Sequence, residues 1–228
     1  MKVKGRSLNL CALRKDLKVV VVDYGSGNLR SVSNALEKAS VRPLVSSDPH
    51  QLLSADAAVL PGVGAGNAAM HALHQRDLVD PLREFITSDR PFMGVCLGLQ
   101  LLVDSTSEGN VPCLGIIPGT VKHLPTGLKI PHMGWNLVRF KTDHPIFQDI
   151  PQESYFYFVH SYYADIHNSA MTVGVTNYSI TFSSVLAHRN LIATQFHPEK
   201  SGPLGLKIYR DFVKYAALAA DGNGELWK

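Results

Sequence analysis

Little in this sequence points to a membrane, a nucleic acid or an oxidising compartment. Only three cysteines occur in 228 residues, Cys11, Cys96 and Cys113. They show no paired spacing, which argues against a disulfide framework and against a Cys-x-x-Cys metal pair. A reducing, cytoplasmic setting is expected, with no metal and no cofactor. The net charge of +3 is too small to argue for a nucleic acid or an anionic membrane surface. No apolar run reaches the length of a membrane span. There is no internal repeat and no low-complexity segment. The basic start of the chain (Lys2, Lys4, Arg6, Arg14, Lys15, Lys18) would suit a targeting peptide. Its apolar stretch is short and broken by Asn9, so residues 1–17 read as a poorly ordered extension and residues 18–228 as the working domain.

What is present is an alternation of strands and helices. The run Val19-Val20-Val21-Val22 shows no polar alternation, as expected of a strand buried on both faces. It leads through Tyr24-Gly25-Ser26-Gly27-Asn28 into a helix with Leu29, Val32, Leu36 and Ala39 at helical spacing. A Gly-x-Gly turn could cradle phosphate, but without a third glycine a plain strand-to-helix turn is the better reading. A second short strand follows Pro43, and then a polar linker. Ala57-Ala58-Val59-Leu60 is a third strand, ending in Pro61-Gly62-Val63-Gly64-Ala65-Gly66, a loop whose glycines can present backbone N–H groups to a ligand. A helix with Met70, Leu73 and Leu78 comes next, and Asp80-Pro81 reads as the N-cap and N1 of another. The order predicts an α/β fold: an open, mostly parallel, mixed sheet with helices on both faces. From Val111 onward short aromatic and β-branched runs broken by Pro and Gly predict a small antiparallel β region. A closing helix carries Leu204, Ile208, Phe212 and Tyr215 on one stripe.

Two constellations carry chemistry. Phe92-Met93-Gly94-Val95-Cys96-Leu97-Gly98-Leu99-Gln100 reads as a strand, a turn, and a helix whose apolar residues continue to Val103. A cysteine with glycines two positions away on each side has the pattern of a nucleophile elbow. The helix would aim free N–H groups at the sulfur and favour thiolate. Taken alone, the string equally fits a buried structural cysteine. The second constellation is His197-Pro198-Glu199. In extended backbone, residues two apart share a face, and Pro198 biases His197 towards that conformation. A carboxylate beside a histidine is the third member of a triad. Cys96, His197 and Glu199 together favour a Cys-His-Glu triad at the carboxyl ends of strands, where functional loops of such sheets gather.

These stretches, Gly94 to Gln100 and Gln195-Phe196-His197-Pro198-Glu199, resemble the class I (triad) glutamine amidotransferases. Four more strings are similar to the glutaminase subunits of imidazole glycerol phosphate synthases: Pro61-Gly62-Val63-Gly64-Ala65, Pro131-His132-Met133-Gly134-Trp135-Asn136, Tyr157-Phe158-Val159-His160-Ser161-Tyr162, and His197-Pro198-Glu199-Lys200-Ser201. The resemblance runs in order from about Lys18 to the last helix. It implies hydrolysis of L-glutamine through a Cys96 thioester, with His197 as base and acid and Glu199 orienting it. One oxyanion donor should be the backbone of Leu97, by the elbow rule; the resemblance and the glycines place the other at Val63 and Gly64. Gln100, His160, Ser161 and Tyr162 are implied around the substrate, although Tyr162 equally suits sheet packing. The chain holds no second domain to consume ammonia. The resemblance supplies one as a separate (β/α)8-barrel cyclase of histidine biosynthesis, facing Asn28, Met133, Trp135, Asn136 and Lys200.

The sequence departs from the usual pattern twice. Residues 1–17 have no counterpart, and Gly66-Asn67 stands where an aromatic followed by glycine is common. Two other enzyme readings share the nucleophile: the glutaminase of a different amidotransferase, and a stand-alone thiol hydrolase. A binding module on a decayed scaffold is disfavoured, because all three triad residues are present.

Overall fold

The computed structural model describes residues 16–25 and 27–221. Cys11 and nearly all of the expected N-terminal extension lie outside these. Leu17, the last residue of that extension, is described and packs into the core.

The chain forms β1 (Val19–Val22), α1 (Leu29–Lys38), β2 (Leu44–Ser46), α2 (Pro49–Leu53), β3 (Ala57–Leu60), α3 (Gly66–Gln75), α4 (Val79–Thr87), β4 (Phe92–Val95) and α5 (Leu97–Gln100). It continues with β5 (Val103–Thr106), β6 (Val111–Pro112), β7 (Ile117–His123), β8 (His132–Phe140), β9 (Ser154–His160), β10 (Tyr162–Ile166), β11 (Thr172–Tyr178), β12 (Ile180–His188), β13 (Leu191–Thr194) and α6 (Gly202–Ala220). A nine-stranded sheet has the order β2-β1-β3-β4-β13-β12-β11-β8-β9, and a smaller one the order β10-β7-β5-β6.

The valine run explains itself once the layers are seen. Val19 and Val21 point into a core shared with α1 and α6, while Val20 and Val22 point into the core beneath α2, α3 and α4. Both faces of β1, β3, β4 and β13 are covered in this way, so an alternating polar face would have had no water to meet.

Several expectations are corrected. The helix after Cys96 is one turn long and does not run to Val103; the chain turns at Leu101 and Leu102 and enters β5. The apolar residues that suggested a long helix are buried because this segment crosses between the two sheets. The polar linker contains α2, capped by the Asp48 carboxylate on the His50 N–H at 2.8 Å. Helix α4 begins at Val79, with Asp80 inside its first turn. The aromatic run over residues 155–163 is two strands, one in each sheet. The large sheet is parallel from β2 to β13 and antiparallel from β13 to β9, and the small sheet also contains a parallel pair, β5 with β7.

Candidate active site

Two central strands bring distant residues together. β4 and β13 run parallel with Val95 opposite Thr194, so the residues leaving their carboxyl ends, Cys96 and Gln195 to His197, emerge side by side. The loops after β1 and β3 open onto the same rim.

Cys96 has φ 53° and ψ −103°, a strained conformation of the kind found at functional turns. Packing enforces it. A Cβ on Gly98 would lie 1.9 Å from the Leu60 carbonyl oxygen, so only glycine lets the turn pass β3 this closely. The Cys96 N–H is tied to the Thr194 carbonyl at 2.7 Å. Its sulfur lies 3.9 Å from the Val159 carbonyl oxygen and 3.7 Å from the Gln195 amide nitrogen. The other described cysteine, Cys113, is also buried, and burial followed by the Asp104 charge pushes its thiol up to about 11. It is no rival nucleophile.

His197 and Glu199 pair as expected, with Nδ1 2.7 Å from Oε1 and both side chains fully buried. The extended conformation holds for His197 only; residues Pro198–Lys200 form a 3-10 turn. The His197 backbone is pinned on both sides, donating from its N–H to the Tyr157 carbonyl at 2.9 Å and accepting from the Ser201 hydroxyl at 2.7 Å. Burial opposes charging His197, but the Cys96 sulfur and then the Glu199 carboxylate outweigh it and raise the ring to about 10. The imidazolium is therefore the resting form near neutrality, although Nε2 makes no hydrogen bond of ordinary geometry. The Glu199 carboxylate accepts two further bonds, from the Asn28 amide at 2.5 Å and the Tyr209 hydroxyl at 3.3 Å. Burial, then the Glu199 charge, pushes Tyr209 well above the usual phenol range, so it stays protonated and donates.

A cavity of about 420 Å³ opens in front of the sulfur. It brings together Val63, Gly64, Cys96, Leu97, Gln100, His160, Ser161, Tyr162 and Lys200, all singled out from the sequence, and adds Glu108, which was not. Glu108 accepts the Gly66 N–H at 2.5 Å. Both Gln100 amide protons are committed, to the Tyr162 backbone carbonyl at 2.7 Å and to the Gln195 side-chain Oε1 at 3.1 Å. What Gln100 can offer a ligand is its own oxygen. Tyr162 lines the cavity, and its ring packs edge-on against His123.

The two expected oxyanion donors are not both available. The Leu97 N–H is engaged by the Gly62 carbonyl at 3.4 Å. In a planar trans peptide the C=O and N–H point opposite ways, so the Val63 N–H faces away from the spot where the Gly62 oxygen sits. The peptide whose oxygen covers the Leu97 N–H is therefore Gly62–Val63.

Of the residues assigned to a partner surface, Met133 and Trp135 are 61% and 57% exposed on one side of β8, and Lys200 is exposed on the cavity wall. Asn136 lies on the other side of β8, bonded to His132 at 3.1 Å, and the Asn28 amide is turned onto Glu199. Tyr209 and Glu108 carry no signal in sequence as site residues, and the sequence points Asn28 to a partner surface rather than to Glu199, because each acquires its place only through the packing of distant elements.

The geometry is that of a thiol nucleophile beside a carboxylate-oriented imidazole, and the class follows from comparison. Residues 20–216 match the family described as glutamine amidotransferase class-I, and the chain belongs to it. Among solved structures the fold is similar to that of PurLQS from Thermotoga maritima, with TM-score 0.69 and 17% identity, covering 87% of this chain and 98% of that one. It is also similar to the glutaminase domain of Trypanosoma brucei CTPS with bound acivicin, with TM-score 0.64, 18% identity, and coverage of 89% and 94%. Much nearer in sequence is the imidazole glycerol phosphate synthase subunit HisH of Dehalococcoides mccartyi strain 195, 47% identical over 87% of this chain and 97% of that protein. The subunit of the same name from Synechocystis is 48% identical over 88% and 98%. Within the class, the chain falls among the HisH-type subunits.

Proposed function

We propose that this chain is the glutaminase subunit of an imidazole glycerol phosphate synthase: it hydrolyses L-glutamine to glutamate and ammonia and passes the ammonia to a (β/α)8-barrel cyclase. The observation that carries this is the buried Cys96–His197–Glu199 alignment at the head of a cavity sized for an amino acid. The Cys96 thiolate attacks the amide carbon, and electrons move to the carbonyl oxygen. As the C–N bond breaks, the His197 imidazolium gives its proton to the leaving nitrogen, which departs as ammonia and leaves a thioester. His197, now neutral, takes a proton from water; the hydroxide opens the thioester, and thiolate and imidazolium are restored with glutamate. Glu199, fixed by Asn28 and Tyr209, holds the ring in position and stabilises its charge. The Gln100 oxygen and the Glu108 carboxylate suit the ammonium end of the substrate, as hydrogen-bond and charge partners.

Ammonia released to water would be protonated and lost as a nucleophile, which is the chemical reason for a partner over the cavity mouth. Exposed Met133 and Trp135, continuing from Pro131 on the cavity wall, give that mouth an apolar, aromatic rim of the kind found at interfaces. In the test, Cys96→Ser is assayed with the cyclase in two ways. Glutamine-dependent product formation should vanish, while product formation from added ammonia persists. Glutamine turnover above about one percent of wild type would remove Cys96 from the mechanism, judged against usual nucleophile losses.

A further inference from the structure

A second, buried histidine stands behind the substrate cavity. His132 and His160 face each other across β8 and β9, Nδ1 to Nε2 at 2.8 Å, and both are nearly inaccessible. His160 Nδ1 lies 2.8 Å from the Tyr162 carbonyl oxygen. His132 Nε2 lies 3.1 Å from the Asn136 amide nitrogen. The His132 ring is clamped between Phe158 and Tyr178, with centroids at 4.8 and 4.0 Å and near-parallel planes. It cannot turn to find another partner without losing both stacks.

The proton positions in this chain follow from its ends. A carbonyl only accepts, so His160 carries its proton on Nδ1. Burial, the largest influence, drives His160 down to about 3 and His132 down to about 4, so each ring is neutral and carries one proton. His160 Nε2 is then bare and must accept, which puts the His132 proton on Nδ1. His132 Nε2 is bare in turn and accepts from Asn136. The Asn136 orientation agrees, since its amide also donates to the Asn177 carbonyl at 3.0 Å and its oxygen accepts from the Leu137 N–H at 2.7 Å. Every link has one donor and one acceptor, and all point the same way. The Tyr162 carbonyl at the end of the chain is the same oxygen that holds the Gln100 amide, which is held in turn by Gln195, the neighbour of the Cys96 sulfur.

We propose that His132 is a positioning residue for glutamine turnover: its Nδ1–H locks His160 into the Nδ1-protonated tautomer, which fixes the Tyr162 carbonyl and, through it, the direction in which Gln100 presents its oxygen to the substrate. This rests on the glutaminase reading of the cavity. His132 itself touches no substrate, and its effect reaches the reaction through one wall of the pocket.

The test combines two variants with a spectroscopic measurement. His132→Leu removes the donor and leaves His160 Nε2 buried and unpaired. It should lower kcat/KM for glutamine by about tenfold, the worth of one buried hydrogen bond, with the loss mainly in KM because the triad is untouched. His132→Asn keeps an N–H near the former Nδ1 position and should recover most of it. Nitrogen NMR of the full chain labelled at histidine should show His160 protonated on Nδ1 in the wild type, and a mixture of tautomers in His132→Leu. A wild-type His160 protonated on Nε2 would overturn the proposal even if a variant failed to fold. So would unchanged kcat/KM in a folded His132→Leu protein, or no rescue by His132→Asn. The glutaminase reading fails separately, through Cys96→Ser: if that variant keeps its glutamine turnover, the assignment of the cavity is wrong, whereas if it is dead and His132→Leu is normal, only the relay is wrong.

Discussion

Replacing Val63 with glycine should make the isolated chain a better glutaminase. In the structure the Gly62 carbonyl occupies the Leu97 N–H, and the Val63 N–H faces the other way. An oxyanion site built from the Leu97 and Val63 N–H groups would require the Gly62–Val63 peptide to turn over. Turning it over disturbs, among other bonds, the long hydrogen bond of 3.4 Å from Leu97 to Gly62, worth about 0.5 kcal/mol at this length. It also carries Val63 from negative to positive φ, which costs a side-chain-bearing residue about 1–2 kcal/mol and suits a β-branched one least. These two together, about 2 kcal/mol, keep the open form at a few percent or below and hold the rate at least about 30-fold below its ceiling. Reacting without the donor costs more, about 2.7–4 kcal/mol, so turnover runs through the rare open form and its population sets the rate. Val63→Gly removes the φ penalty and should raise kcat of the chain alone about tenfold. The same variant should gain correspondingly less from adding the cyclase and its ligand. The assay is steady-state glutamate release at saturating glutamine, with and without the partner. Unchanged or lower kcat in a folded Val63→Gly protein would refute the flip as a limit on turnover by the chain alone. Gly62 cannot be used for the converse experiment, because a Cβ there would meet the Tyr24 hydroxyl at 2.4 Å and the Leu97 Cβ at 2.8 Å.

Glu199→Gln keeps the shape of the group that accepts from His197 and Asn28, and Tyr209 can rotate its hydroxyl to accept from the new amide. With the charge gone, kcat should fall clearly but less than in Cys96→Ser; equal losses in the two variants would show that Glu199 does more than orient and stabilise. Cys96→Ala removes the largest influence raising His197 and leaves burial, which lowers it, opposed by Glu199. The His197 ring signal in NMR should therefore titrate near 10 in the wild type and clearly lower in the variant, and an unmoved midpoint would separate the two side chains. His132, His144 and His160 are pushed down by burial to about 4, 4 and 3. Between those values and 6.5 the unfolded chain binds more protons than the folded one, so their contribution to stability is complete above 6.5 and is lost as pH falls below it. Urea midpoints should drop from pH 7 to pH 4, and a midpoint independent of pH over that range would contradict the neutral buried pair.

Much of this protein was legible in its order of residues. The valine run, the glycine-flanked cysteine and the His-Pro-Glu string are local statements: each needs only its neighbours to form a strand, a tight turn or a stiffened pair, so sequence alone determined them. The length of the helix after Cys96 was not local. The apolar residues between Leu97 and Val103 are buried because two sheets close over them, and apolar spacing does not tell a buried crossing from a buried helix. The adjacency of Cys96 and His197 was a chemical guess until β4 and β13 were seen side by side. The grip of Asn28 and Tyr209 on Glu199, the chain from Asn136 through His132 to Tyr162, and the Gly62 carbonyl lying over the Leu97 N–H belong wholly to tertiary structure. Each depends on which of several polar atoms a buried group meets. In a dry interior that choice is forced by the need to pair every donor and acceptor, and it is made between residues that the sequence holds up to 171 positions apart.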